Sequence, residues 1–167
     1  MCQDVQEYAW AISQGNYDQA LEVILARNPL PAVTGYVCNH LCQTRCTRND
    51  YEETIAIRAL KRFAEEHGKV APLVAKASAG KKVAVVGSGP SGGSAAFYLA
   101  LNGVDVHMYE AKDVIGGMMR LVPVFRLPWE IIQRDVDRIV DLGVKLELEH
   151  LVDVAPEALL DAGAAGG

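Results

Sequence analysis

Apolar positions change their period once along the chain. Through the first 66 residues they recur at helical spacing. Asp4 stands where a helix cap belongs, with Glu7 supporting it from the N3 position and Gly15 closing the helix. Tyr17, Ala20, Leu21, Ile24 and Leu25 form the stripe of a second helix, which stops at Asn28-Pro29. Ile55, Ala59, Leu60 and Phe63 predict a third, from about Tyr51 to Glu66. Residues 1–66 therefore read as a small helical unit. Its stripes are short, and a unit this size needs a staple such as a metal site. His67-Gly68 and the Ala/Lys/Gly/Ser-rich stretch that follows predict a linker over 67–80.

From residue 81 the pattern is different. KKVAVVG (81–87) is a continuous apolar strand of the kind buried in a parallel sheet. Pro90 to Asn102 reads as a helix ended by Asn102-Gly103, and VDVHMYE (104–110) as a second strand. Pro128 to Leu142 is an amphipathic helix with Ile132, Val136, Ile139 and Val140 facing inward, and VKLELE (144–149) alternates like another strand. Strand, helix, strand with short connections is the βαβ pattern. The expected fold is α plus α/β: an all-helical domain over 1–66, a linker, and a Rossmann-like region over 81–167.

Composition narrows the function classes. The chain has 167 residues, half of them apolar, and a net charge of −5. No basic excess favours nucleic acid or an anionic membrane surface. No apolar run is long enough to span a bilayer. MCQDVQEYAW lacks the charged start and apolar stretch of a secretory signal, so a reducing cytoplasm is the expected setting. Thiols clustered there hold metal or do redox work.

Three of the four cysteines, Cys38, Cys42 and Cys46, lie in GYVCNHLCQTRC (35–46); the fourth is Cys2. If the segment is helical, their i, i+4, i+8 spacing drifts only about 40° per step and puts three sulfurs on one side. Such thiolates suit an iron–sulfur cluster or zinc, and His40 inside the run is a further candidate ligand. Spacing alone does not decide between the two.

GSGPSG (87–92) matches G-x-G-x-x-G directly after a strand and at the start of a helix. Gly87 permits the tight turn, Gly89 admits a pyrophosphate close to the backbone, and Gly92 lets the helix pack on the strand. The helix start supplies free N–H groups and a positive dipole end, with Ser88 and Pro90 in the same turn. Glu110, at the end of the second strand, is placed to accept hydrogen bonds from ribose hydroxyls and to repel a 2′-phosphate. That points to FAD or NAD rather than NADP. GGMMR (116–120) and VPVFRLP (122–128) form an irregular link in which Arg120 and Arg126 are candidates for phosphate or flavin contact.

Taken in order, these motifs resemble the N-terminal part of the flavin and iron–sulfur NAD(P)H oxidoreductases typified by the glutamate synthase small subunit and dihydropyrimidine dehydrogenase. The matching pieces are Cys2 with Tyr8, GNYDQA (15–20), NPLPAVTGYVCNHLCQTRC (28–46), IAIRALKRF (55–63), VAVVGSGPSG (83–92), Glu110, GGMMR, FRLP (125–128) and DLGVKLE (141–147). They run through nearly the whole chain.

The resemblance implies a helical [4Fe–4S] domain followed by an FAD-binding domain, with NAD(P)H bound by a further domain. Cys2, Cys38 and Cys42 would ligate one cluster and Cys46 the other, whose remaining cysteines lie upstream in the family. The position that some members fill with a Gln or Glu ligand aligns with Lys61, which cannot ligate iron while protonated. Gly87, Gly89, Gly92 and Glu110 match the FAD pyrophosphate and ribose contacts, and Gly117, Met118, Arg126 and Val152 fall where further FAD contacts are expected. No residue is expected to act as a general acid or base. The implied partner is an electron-accepting catalytic subunit or domain in a hetero-oligomer. The strand and A-T-G turn that close over FAD in the family should follow near residue 167, so the chain is expected to be a fragment or one piece of a split protein.

Overall fold

The structure is a computed structural model and describes residues 3–153. Cys2, expected as a metal ligand, lies outside the described residues. The chain divides into two compact units, with the boundary between Ala71 and Pro72.

In the first unit, α1 (Val5–Ser13) and α2 (Tyr17–Leu25) form where the stripes predict them. Asp4 Oδ1 accepts the Glu7 N–H at 2.9 Å and Asn16 Oδ1 accepts the Gln19 N–H at 3.4 Å, so each helix start has a side-chain cap. Gly15, at φ +73°, makes the turn between them. A third short helix, α3 (Pro31–Val37), has Pro31 in its first turn. Before it, the buried Asn28 accepts the Leu30 N–H through Oδ1 and donates to Thr34 Oγ1 at 2.7 Å.

The cysteine segment is not a continuous helix. Cys38 is extended, His40 adopts a left-handed conformation at φ +44°, and a single turn, α4 (Leu41–Thr44), follows. A 3-10 turn then covers Thr47–Asp50. The one-sided row of three sulfurs therefore does not form. α5 spans Ile57–His67 and starts six residues later than its apolar stripe suggests. The cause is Gln43. Its carbonyl accepts the Thr54 and Asn49 side chains, both at 3.0 Å, while its Oε1 accepts the Arg58 N–H at 3.3 Å. A cap from 15 residues upstream thus sets where α5 begins.

Tyr8, Ala11, Ala20, Ile24, Ile57 and Ala64 make the core of this unit. Each large apolar side chain buried there is worth about 1.5–3 kcal/mol. Tyr17 meets Phe63 edge-on at 5.2 Å, and Phe63 stacks on His67 at 4.1 Å.

The second unit is a three-stranded parallel sheet in the order β1 (Lys82–Val86), β2 (Asp105–Tyr109), β3 (Lys145–Glu147). Val83 pairs with Val106, and Met108 with Val85 on one side and Leu146 on the other. α6 (Pro90–Leu101) links β1 to β2 and buries Ala96, Phe97 and Ala100. α7 (Trp129–Val140) leads to β3 and buries Ile131, Ile132, Val136 and Ile139; its expected inward residue Val140 is exposed. β1 was expected to be covered throughout, yet Val85 is buried while Val86 is 61% exposed. Among the described residues the helices do not cover that end of the strand. Residues 76–79 run beside the end of α6, with Lys76 N–H donating to Leu101 and Ala79 N–H to Gly103. A Cβ at Gly103 would stand 2.2 Å from the Ala77 carbonyl oxygen, so this close approach requires glycine. No helix among the described residues is long and apolar enough to cross a membrane.

The Asp4 cap gives a direct stability test. Asp4→Ala should lower unfolding free energy by about 1 kcal/mol in urea titrations followed by circular dichroism. An unchanged midpoint would remove the cap from the account.

Candidate functional site

Two sites emerge, one in each unit. In the helical unit the left-handed step at His40 brings Cys38 and Cys42 to the wall of one cavity. It measures about 400 Å³ and is also lined by Gln3, Val5, His40, Ile57, Arg58 and Lys61. The wall is fixed by backbone bonds: His40 N–H donates to Cys38 Sγ at 3.4 Å, and Arg58 Nη1 donates to the Cys38 carbonyl at 3.1 Å.

The polar atoms around this cavity are unusual. Gln3 Nε2, Tyr8 Oη and His40 Nδ1 are buried and have no hydrogen-bond partner. Leaving such an atom unmade costs about 1–3 kcal/mol. Burial, with the nearby Cys42 and Cys38 charges, pushes the Tyr8 hydroxyl well above its ordinary pKa, so it stays a donor. Lys61 is 6% exposed, and among the described residues no carboxylate pairs with it. Burial draws its pKa below the ordinary lysine value; Cys38 and Cys42 pull it back up, and Arg58 opposes them. Two soft thiols, a buried cation and unsatisfied N–H and O–H groups fit a sulfide-bearing metal cluster. Among the described residues no three of His, Cys, Asp and Glu gather into a complete ligand set.

Cys46 lies elsewhere and does not line the cavity. Hydrogen bonds from the Ile55 and Arg48 N–H groups, then the Thr54 hydroxyl, hold its thiol below the ordinary value, with the Arg48 charge adding to them against burial. The structure thus brings Cys38 and Cys42 together and sets Cys46 apart. Of the lining residues Gln3 and Lys61, only Lys61 carries a signal in the sequence. Lys61 shares the buried stripe Ile57, Lys61, Ala64, Glu65, and a lysine at such a position marks a buried cation. Gln3 carries no pattern at all.

In the second unit the glycine turn has the shape its spacing predicts. Gly87 sits at φ +95°. A Cβ at Gly92 would lie 1.9 Å from the Gly87 carbonyl oxygen, so only glycine lets α6 start against the turn. Gly117, at φ +48°, comes against Gly89: a Cβ there would be 3.0 Å from Gly89 Cα. The 3-10 turn Gly117–Leu121 therefore forms one wall beside the phosphate-type loop. The first N–H groups of α6 have no carbonyl a turn earlier to receive them. Bare backbone at Gly87, Gly89 and Gly117 beside those donors leaves the room a dinucleotide pyrophosphate needs.

Ser88 and Glu110 form a pair. Glu110 Oε2 accepts the Ser88 hydroxyl at 2.6 Å and its N–H at 2.9 Å, and Oε1 accepts the Lys112 N–H at 3.1 Å. Burial pushes the Glu110 carboxyl up, but the Ser88 and Lys112 bonds outweigh it and hold the group below the usual range. Ser88 is itself buried, so its side chain orients Glu110. Arg120 Nε donates to the Ile115 carbonyl at 2.5 Å and its guanidinium lies over Trp129. Pro90 opens α6. Met118 and Arg126 are exposed and Val152 is half-buried.

A group whose folded pKa is lowered stabilises the fold above its unfolded value, and that stability fades as pH falls through the folded value. Ser88→Ala removes the 2.6 Å bond and raises the Glu110 pKa toward the ordinary carboxylate range. The variant should be about 1.5 kcal/mol less stable at neutral pH and approach wild type as pH falls through the lowered Glu110 value. Urea titrations across pH 3–7 check this; a pH-independent difference would contradict it.

Comparison with known proteins bears on the two units as domains. Residues 1–71 match the family described as dihydropyrimidine dehydrogenase domain II, 4Fe-4S cluster, and residues 85–146 match the NAD(P)-binding Rossmann-like domain. The chain is 39% identical to the NADPH-Fe(3+) oxidoreductase subunit beta of Geobacter sulfurreducens, over 86% of the chain and 22% of that protein. It is 35% identical to the NADP(+)-dependent formate dehydrogenase subunit beta of Moorella thermoacetica, over 90% of the chain and 25% of that protein. With the NAD-dependent dihydropyrimidine dehydrogenase subunit PreT of Salmonella typhimurium it shares 36% identity, over 79% and 33% respectively. The chain spans about a fifth to a third of the length of these relatives. The chain thus joins a helical region matching the dihydropyrimidine dehydrogenase domain II, 4Fe-4S cluster, family to an NAD(P)-binding Rossmann-like region, and is similar to part of several longer oxidoreductases.

Proposed function

We propose that the chain is the electron-transfer part of a pyridine-nucleotide-dependent flavin and iron–sulfur oxidoreductase. The observation that carries the reading is the Cys38–Cys42 cavity, with its buried ammonium and the unpartnered Gln3 and His40 nitrogens on its wall. In this reading Cys2, Cys38 and Cys42 hold one [4Fe–4S] cluster, and Cys46 serves a separate one.

FAD, when bound, supplies the conversion of a two-electron hydride from NAD(P)H into single electrons for the clusters. The chain's own residues bind and orient. Gly87 and Gly89 admit the pyrophosphate to the start of α6, and Gly92 keeps that helix close. Glu110, kept charged by Ser88, accepts ribose hydroxyls and disfavours a 2′-phosphate. Gly117 lines the opposite side of the loop, with Met118, Arg120, Arg126 and Val152 as further contacts suggested by the resemblance. NAD(P)H binding and the final acceptor are assigned to the rest of a longer protein or its partner catalytic subunit, as in glutamate synthase-type assemblies. Two of the relatives named above are themselves beta subunits, which favours a hetero-oligomer. The thiols suit a reducing cytoplasm.

The test is cofactor content after anaerobic reconstitution with iron, sulfide and FAD. The chain should hold iron and sulfide in equal amounts together with FAD, and NAD should not displace the flavin. Cys38→Ser and Cys42→Ser should each lose most of the iron at the cavity, while Cys46→Ser retains it. Gly92→Ala should lose FAD and keep iron. Zinc without iron or flavin would overturn the reading; displacement of FAD by NAD would overturn the flavin assignment alone.

A further inference from the structure

Lys61 is a buried cation that nothing among the described residues neutralises except the thiols it faces. It sits on the inward stripe of α5, one turn from Ile57, and lines the same cavity as Cys38 and Cys42. The charges acting on it are those two cysteines and Arg58, which stands on the same helix and is itself tied to the Cys38 carbonyl. A second cation near the first makes its burial more costly, so something negative has to occupy the cavity for the arrangement to be favourable. An ammonium has three N–H donors and no acceptor, so while protonated it cannot ligate iron. What it can do is act as a fixed positive charge in a site that solvent screens poorly.

Resting on the cluster reading above, we propose that Lys61 is the internal counter-charge of the Cys38–Cys42 iron–sulfur site and raises its reduction potential. One-electron reduction adds a negative charge to the cluster. A positive charge held at the cavity wall stabilises that reduced state more than the oxidised one. Gln3 Nε2, buried without a partner on the same cavity wall, acts in the same direction as a hydrogen-bond donor. Lys61 is a positioning charge in this scheme, with no proton or electron transferred through it.

The experiment is a redox titration with dithionite as the electron donor, on the full chain reconstituted anaerobically with ferrous iron and sulfide, followed by absorbance and electron paramagnetic resonance. Lys61→Met removes the charge at similar length, and Lys61→Arg keeps it. The Met variant should hold wild-type iron and sulfide and show a midpoint lower by about 59 mV, a tenfold change for a one-electron couple. The Arg variant should stay near wild type. A cluster that fails in Met but forms with a wild-type potential in Arg supports the charge role as well. An unchanged midpoint in Lys61→Met overturns the proposal, as does an Arg variant displaced as far as the Met variant or a loss of cluster in both. Failure of the wild-type chain to take up iron and sulfide is a distinct result and overturns the cluster reading instead.

Discussion

Burying a lysine ammonium against two thiols is the constraint around which the helical unit is arranged. Lys61 occupies a stripe position that an apolar residue would fill more cheaply, beside a core of only a few large side chains. Two polar atoms on the same cavity wall, Gln3 Nε2 and His40 Nδ1, lack partners. A native interior leaves few such groups unmade, and these two line the same cavity as the thiols. A metal site is also the staple a unit of this size needs. Stability and electron transfer would then depend on the same contacts.

The backbone around the cysteines serves that arrangement. Left-handed His40 breaks the helix that spacing would allow, turning Cys38 and Cys42 into one cavity. Gln43 then ties the following turn to the start of α5, which carries Lys61 and Arg58. Cys46, on the far side of that turn, sits in a different setting, where Ile55, Arg48 and Thr54 hold its thiol below the ordinary value. Four residues of separation in sequence thus become two different environments. In the second unit the logic is steric: Gly92 brings the helix against the loop at a distance no side chain permits, Gly117 makes a tight approach to Gly89, and Ser88 keeps Glu110 charged beside the loop.

Local signals made much of this legible from the residues alone. Asp4 with Glu7, the Tyr17–Leu25 stripe and the strand–glycine–helix junction each act within a few residues, and each forms as expected. The failures are non-local. The late start of α5 depends on a side chain 15 residues away, and no periodicity encodes that. The i, i+4, i+8 cysteine spacing suggested a helix face, but a single left-handed residue cancels it. β1 reads as apolar throughout, and composition does not reveal that Val86 stands open at its end. The family resemblance supplied what spacing left undecided, namely iron–sulfur over zinc and the division of the cysteines between two sites.

Anomalous diffraction at the iron edge, from crystals of the anaerobically reconstituted chain, tests the central claim most directly. The account predicts an iron peak within bonding distance of Cys38 and Cys42, inside the cavity that Lys61 lines. An iron peak at Cys46 alone, or a zinc signal in that cavity in place of iron, would contradict it.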